Sequence, residues 1–371
     1  MAPRSVFPAL YRGGHVDRDR GSALIWLIVI GLAAAGLATL AVSTLVQPIM
    51  DGRMLWQPLG SAVLGGLSTI GVGVAFDVAP AEYLIGISAF AVPVLVLMEA
   101  AAACSGAHRT GRWILLLAWG GVVFPLAALV PLWLTASCAG ADCQLEDFGG
   151  ALPLLVSSSA FVTLAWLPAG VTGRADVETH SPRRVTGALL VLWLAVILWL
   201  VPLEGAIDQF TPLIVIAAVV GPVAGALGWL VTDRARSVAH SMPRSAVLGM
   251  IAGIAAMMPG VVTVTFPWSL AVGALAGALG SLAYSSRASV SAGVATRWGL
   301  VVLVAAAVGF LAPAISGNGV GILFSAQLDV LAVPVMSFAG VTVGAVVLSA
   351  PAWVLLRRNA DRGPASKESP T

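Results

Sequence analysis

The sequence predicts an all-α integral membrane protein of eleven transmembrane helices, and three observations carry that prediction. Of its 371 residues, 59% are hydrophobic and only 10% charged, against the ~45–50% and ~25% of a soluble domain. The apolar residues gather in runs of roughly 20, the length that crosses a ~30 Å hydrocarbon core. The basic residues fall in alternate loops between those runs. The 41 Gly and 22 Pro sit inside the apolar runs, where membrane helices tolerate both. A water-soluble core protein is excluded, and the spans leave no room for a sizeable aqueous domain. The formal net charge of +2 leaves no basic stripe once the loop charges are placed, so no nucleic-acid partner is expected.

Breaking the apolar runs at charged, Pro-containing or Gly/Ser-rich joints gives spans at 22–46, 57–78, 82–104, 113–135 and 150–171 in the first half. The second half gives 186–203, 211–231, 245–264, 267–284 and 290–312, and an eleventh span follows at 334–356. A polar N-terminal tail (1–20), a polytopic membrane domain (21–357) and a short polar tail (358–371) complete the organisation.

Lys and Arg in short loops mark the cytoplasmic side. Arg53, Arg109, Arg112, Arg174, Arg183, Arg184, Arg234, Arg236, Arg244 and Arg287 occupy the odd-numbered loops, and Arg297 stands near the inner start of the tenth span. Arg357, Arg358, Arg362 and Lys367 follow the last span. The even loops and their edges carry Asp77, Glu82, Asp142, Glu146, Asp147, Glu204, Asp208 and Asp329 and no basic residue. The C-terminus is therefore expected in the cytoplasm, and the cell (inner) membrane is the expected location. Arg4, Arg12, Arg18 and Arg20 precede the first span on the side this alternation makes external. Three readings address that exception: Arg18 to Ser43 is a signal sequence, the later loops outvote the tail, or Gly60 to Ala75 is re-entrant and ten crossings remain.

Cys138 and Cys143 share the acidic fourth loop, an oxidising location, where they either close a small disulfide through Gly140 or stay free thiols. No histidine lies near them, so a metal site is the weaker reading. Gly221 with Gly225, Gly249 with Gly253, and Gly273 with Gly277 are small residues four apart, a spacing that lets helices approach closely within a bundle or between subunits. Pro93, Pro125, Pro153, Pro202, Pro222 and Pro259 each remove a backbone donor and permit a kink.

The segment Asp208 to Tyr284 resembles the seventh to ninth helices of the ammonium transporter (Amt/Mep/Rh) family. "DQFTPLIVIAAVVGPVAGALGWLVTDR" is similar to the family's Thr-started, small-residue helix, and "SAVLGMIAGIAAMMPGVVTVTFPWSLAVGALAG" to its Gly-x-x-x-Gly helix, terminal Pro-x-Gly and next helix. "GVGVAFD" from Gly71, "GAHRTGRW" from Gly106, "DFGG" from Asp147 and "SAQLDVLAV" from Ser325 look like further family pieces in the family's order. The resemblance covers most of residues 58 to 356. It implies a five-plus-five inverted repeat followed by a last helix, one narrow pathway per subunit with its site near the midplane, and a homotrimer. It also implies an outer aromatic vestibule, an outer-loop Asp147 with a structural role, and two pore histidines.

The pore histidines are absent. His15 lies in the N-terminal tail, and His108, His180 and His240 lie in cytoplasmic loops. The first family histidine falls on Leu154 or Leu155, and the second on Arg297 or Ala295. The end of the sixth family helix falls on "LWLVPLE", which retains an aromatic at Trp199, and Trp133 lies near the vestibule tryptophan. Both tryptophans also suit an interfacial aromatic belt. The tail "RRNADRGPASKESPT" shows no match to the family's regulatory tail, so docking of a PII-type signal protein is not supported.

Glu99 is the one acid well inside a span. It is either a pathway group or is paired near the inner interface, with Arg109, Arg112 or Arg297 as candidate partners. The function implied is an ammonium-transporter-like channel or transporter for ammonium or another small solute. The alternative is a conduction-dead relative with a regulatory or interaction role. An enzyme is not expected, since no nucleophile motif or metal-ligand spacing gathers at one depth. Catalytic residues, cofactor and metal are therefore none, and the surrounding partner is the lipid bilayer.

Overall fold

The computed structural model describes residues 18–46, 56–75, 81–104, 109–137, 145–166, 181–204, 210–238, 241–286, 289, 294–317 and 321–361. These form helices with no strand among them. In chain order they are α1 (Arg18–Val46), α2 (Trp56–Ala75), α3 (Ala81–Cys104), α4 (Arg109–Ala118) and α5 (Phe124–Ser137). Next come α6 (Ser157–Trp166), α7 (Pro182–Leu203), α8 (Thr211–Ala235), α9 (Met242–Met257) and α10 (Phe266–Tyr284). The last are α11 (Val294–Ser316), the one-turn α12 (Ile322–Ser325) and α13 (Ala332–Asp361). Two π-helical turns interrupt the first half: π1 (Trp119–Val123) joins α4 to α5, and π2 (Leu152–Val156) leads into α6.

Among the described residues, eight helical segments are long and apolar enough to cross a membrane, and Leu152–Thr163 and Met242–Met257 are shorter apolar helices. The Gly-rich stretch of the second expected span lies within one continuous 20-residue helix, α2, about 30 Å long at 1.5 Å per residue. α1 begins at Arg18 and α13 runs on to Asp361, so helix extends past both expected tail boundaries.

α1 packs along α7, and α6 packs along α11. α13 lies across α4, α6 and α11. Side chains such as Val63, Leu67, Leu190, Leu227 and Val347 point outward and are exposed, as expected of a bundle whose solvent is lipid.

The glycine pairs settle between the two readings of their spacing. A Cβ on Gly225 would lie 2.3 Å from the Gly249 carbonyl oxygen, and one on Gly277 would lie 1.9 Å from that of Gly225. Only hydrogen fits there. These glycines bring α8, α9 and α10 into backbone contact within one chain.

Candidate functional site

The centre of the bundle is built from the two π turns and α7. At π2 the Ser157 N–H reaches back to the Leu152 carbonyl instead of that of Pro153. The Pro153 carbonyl, freed from the backbone ladder, accepts the Ser157 hydroxyl at 2.5 Å. Ser157 in turn accepts the Trp119 indole N–H from π1 at 3.1 Å. One shifted backbone bond thus creates the hydroxyl bridge between the two π turns. Ser158 donates to the Leu154 carbonyl at 2.5 Å. Leu154 is fully buried, while Leu155 is partly buried and packs against the core.

Trp199 occupies the space between α1, α3 and α7. Its indole stacks on Phe90, with ring centroids 4.9 Å apart and planes 21° from parallel. Its N–H donates to the Gly149 carbonyl at 3.2 Å. It is 1% exposed, which places it in the core and not in an interfacial belt. Gly86 makes room for the ring, since a Cβ there would lie 2.9 Å from it.

α6 and α11 meet closely at one glycine. Gly299 seats on α6 between Thr163 and Ser159: a Cβ there would lie 2.4 Å from the Thr163 hydroxyl and 3.3 Å from the Ser159 carbonyl oxygen. The two helices run in opposite directions. Further along α11, Ala305 and Ala306 are fully buried. Arg297 lies about 12 Å before Ala305 along the helix, eight residues at ~1.5 Å each.

Arg297 sits three residues after the start of α11 in a polar cluster. Its Nε donates to the Ser289 carbonyl at 3.3 Å, and its guanidinium lies 5.5 Å from the Tyr284 ring centroid. Arg244 approaches the same ring, 5.8 Å from its centroid, and donates to its hydroxyl at 2.7 Å. Beside them Asp233, 5% exposed, accepts from Trp229 Nε1 at 3.0 Å, Ser245 Oγ at 2.6 Å and Ser281 Oγ at 2.6 Å. Sequence reasoning missed Asp233, because the seventh span was ended at Val231. Glu99 pairs with Arg112 at 3.2 Å.

In the loop before α6, Asp147 accepts the Ala151 and Leu152 N–H groups at 2.5 and 3.0 Å, capping the start of the fifth apolar segment. Gly150 adopts φ 69° beneath it, a left-handed turn that glycine takes without steric cost. Phe148 and Gly149 donate backbone N–H bonds to the Pro259 and Met258 carbonyls, each at 2.9 Å, and Thr263 donates to the Glu146 carboxylate. Burial pushes both acids up to about 7, in Asp147 against the pull of its two backbone donors and in Glu146 against that of Thr263. Trp133 lies in α5, and its side chain is outside the described set. Cys138, Cys143 and the four histidines lie outside the described residues.

Among the described residues, no group of three His, Cys, Asp or Glu side chains could hold a metal ion. The Ser157 and Ser158 hydroxyls are turned onto backbone carbonyls, while the buried Thr163 hydroxyl has no hydrogen-bond partner among the described residues.

No family model and no curated protein matches the sequence. Solved structures do. The delta442 mutant of Mep2 from Candida albicans superposes with a TM-score of 0.74 at 16% identity, covering 93% of this chain and 94% of that one. Mep2 from Saccharomyces cerevisiae gives 0.72 at 15% identity, with 91% and 88% covered. A protein described as a sensor Amt protein gives 0.72 at 13% identity, with 91% and 94% covered. The chain has the Amt/Mep fold.

Proposed function

We propose that this Amt/Mep-fold protein is a membrane channel for a small solute that crosses without charge, with ammonia the substrate its centre suits. The observation that carries the reading is the packing of Leu154, Leu155 and Ala305 in the core, side chains that cannot accept a hydrogen bond. An ammonium ion there would face the desolvation cost of a mid-membrane charge, several kcal/mol. An aromatic face returns only about 0.5–2 kcal/mol of it. A neutral molecule gives up far less. The working unit would be a homotrimer in the inner membrane with cytoplasmic C-termini, as the family resemblance implies.

A second reading is favoured by one observation, the burial of Trp199 against Phe90 and Gly86. If that ring never leaves, the protein is a non-conducting relative that serves by interaction or sensing. Purified protein in liposomes carrying an internal pH dye and facing an ammonium gradient separates the two. Rapid internal alkalinisation without electrical current supports the channel. Alkalinisation only after Trp199→Ala supports the second reading. An ammonium current in the wild-type protein would overturn both.

A further inference from the structure

α1 and α7 leave a cavity between them at one end of their contact. The two helices run antiparallel: a Cβ on Gly31 of α1 would lie 3.8 Å from the Trp199 ring of α7, while further along α1 Leu40, Ala41 and Thr44 face the start of α7. There they line, with Arg184, Gly187, Ala188 and Val191, a cavity of about 270 Å³. Its cause is a shortage of side chain. Ala41 and Ala188 are small and buried, and a Cβ on Gly187 would find nothing within 4 Å. Leu40 at its rim is 58% exposed, so the cavity opens on the surface of the bundle.

The lining is apolar except at one point. Thr44 turns its hydroxyl onto the Ala41 carbonyl at 2.7 Å and offers the cavity no free donor. Arg184 is the one charged residue in the lining. It stands on the first turn of α7, where the Ser181 side chain accepts its backbone N–H at 3.3 Å. It is exposed, and among the described residues the single ion pair is that of Arg112 with Glu99, so the Arg184 guanidinium has no carboxylate beside it. Ile28–Leu45 and Arg183–Leu203 are both long and apolar enough to cross a membrane, and the cavity lies where these two spans end. Arg184 is therefore at the edge of the hydrocarbon, and Val191, roughly 10 Å further along α7, is within it.

We propose that this cavity binds an anionic phospholipid, with one acyl chain lying along Ala41, Ala188 and Val191 and the phosphodiester on Arg184. The two ends of the cavity set the chemistry. A soluble anion would lose its water to an apolar lining that returns no hydrogen bond. A plain hydrocarbon would leave the guanidinium without an anion, whereas a phosphate accepts paired N–H bonds from it. A zwitterionic lipid brings a phosphate but also a fixed cation next to it, so a headgroup of net negative charge is preferred. The bound lipid touches both helices and so ties α1, from the first half of the chain, to α7, from the second. Its binding does not depend on what the protein conducts.

The test is native mass spectrometry of the full chain, purified in detergent and incubated with phosphatidylglycerol or with phosphatidylcholine of the same acyl chains. The wild-type protein is expected to hold phosphatidylglycerol about fivefold more tightly, the scale of one basic residue near anionic lipid. Arg184→Gln should remove that preference and leave phosphatidylcholine binding unchanged, whereas Arg234→Gln, at the exposed end of α8, should alter neither. Gly187→Leu puts a side chain into the cavity and should weaken both lipids. Equal binding of the two lipids by the wild-type protein overturns the proposal, as does a loss in Arg184→Gln no greater than in Arg234→Gln. It is also overturned if Gly187→Leu splits a wild-type oligomer while phosphatidylglycerol stays bound, because a second copy of the chain then fills the cavity.

Discussion

Trp199 is held by a stack, a hydrogen bond and a glycine opposite its ring, so its replacement tests both packing and closure. Trp199→Ala is expected to cost about 3–5 kcal/mol in unfolding free energy and to raise solute flux in liposomes. Ser157→Ala removes the acceptor of the Trp119 indole and the donor to the Pro153 carbonyl. Two buried groups lose their partner at once, so thermal or denaturant unfolding should show a loss of about 2 kcal/mol or more. Asp147 and Glu146 give a pH signature. Their folded-state values, pushed up to about 7 by burial, lie above those of an unfolded chain, near 4. The folded protein therefore binds more protons than the unfolded one between these limits. The stabilisation is complete below about pH 4 and is lost as pH rises through about 7. Unfolding temperature should fall across that window, and Asp147→Asn, which stays neutral, should flatten the fall. At this scale the sequence was partly readable. Family order offered Leu154 and Trp199 as candidates, whereas the surroundings of Arg297, the Ser289 carbonyl and the Tyr284 ring, depend on packing between separate segments.

At the scale of elements, the spans were legible because twenty apolar residues between charged joints leave a chain few alternatives in a bilayer. The π turns were not. They shift one backbone hydrogen bond each, and Pro125 and Pro153 signalled only that a kink was allowed there. Asp233 was hidden for a related reason: an acid two residues past an apolar run reads as a loop charge, whereas α8 continues through it to Ala235. The α8–α9–α10 unit offers the sharpest test of helix packing. A methyl group on Gly277 would sit 1.9 Å from the Gly225 carbonyl oxygen, so the helices must separate to admit it. Gly277→Ala is expected to lower stability by about 1–3 kcal/mol and to reduce the yield of folded protein in size-exclusion chromatography.

For the whole molecule, the alternation of Arg-bearing and acidic loops makes a prediction that the helical packing alone does not. Eleven crossings with a cytoplasmic C-terminus are expected, and a reporter fused after Thr371 should be active only on the cytoplasmic side. Activity on the outer side would refute that topology. The proposed uncharged passage bears on energetics as well as selectivity. The membrane potential does work only on charge that moves through it, about 2.3 kcal/mol per elementary charge for each 100 mV. A solute that passes uncharged draws nothing from that source and is not held back by it. Such a pathway equalises the concentration of the neutral species on its two sides, and any accumulation inside must come from protonation or consumption of the solute after it arrives.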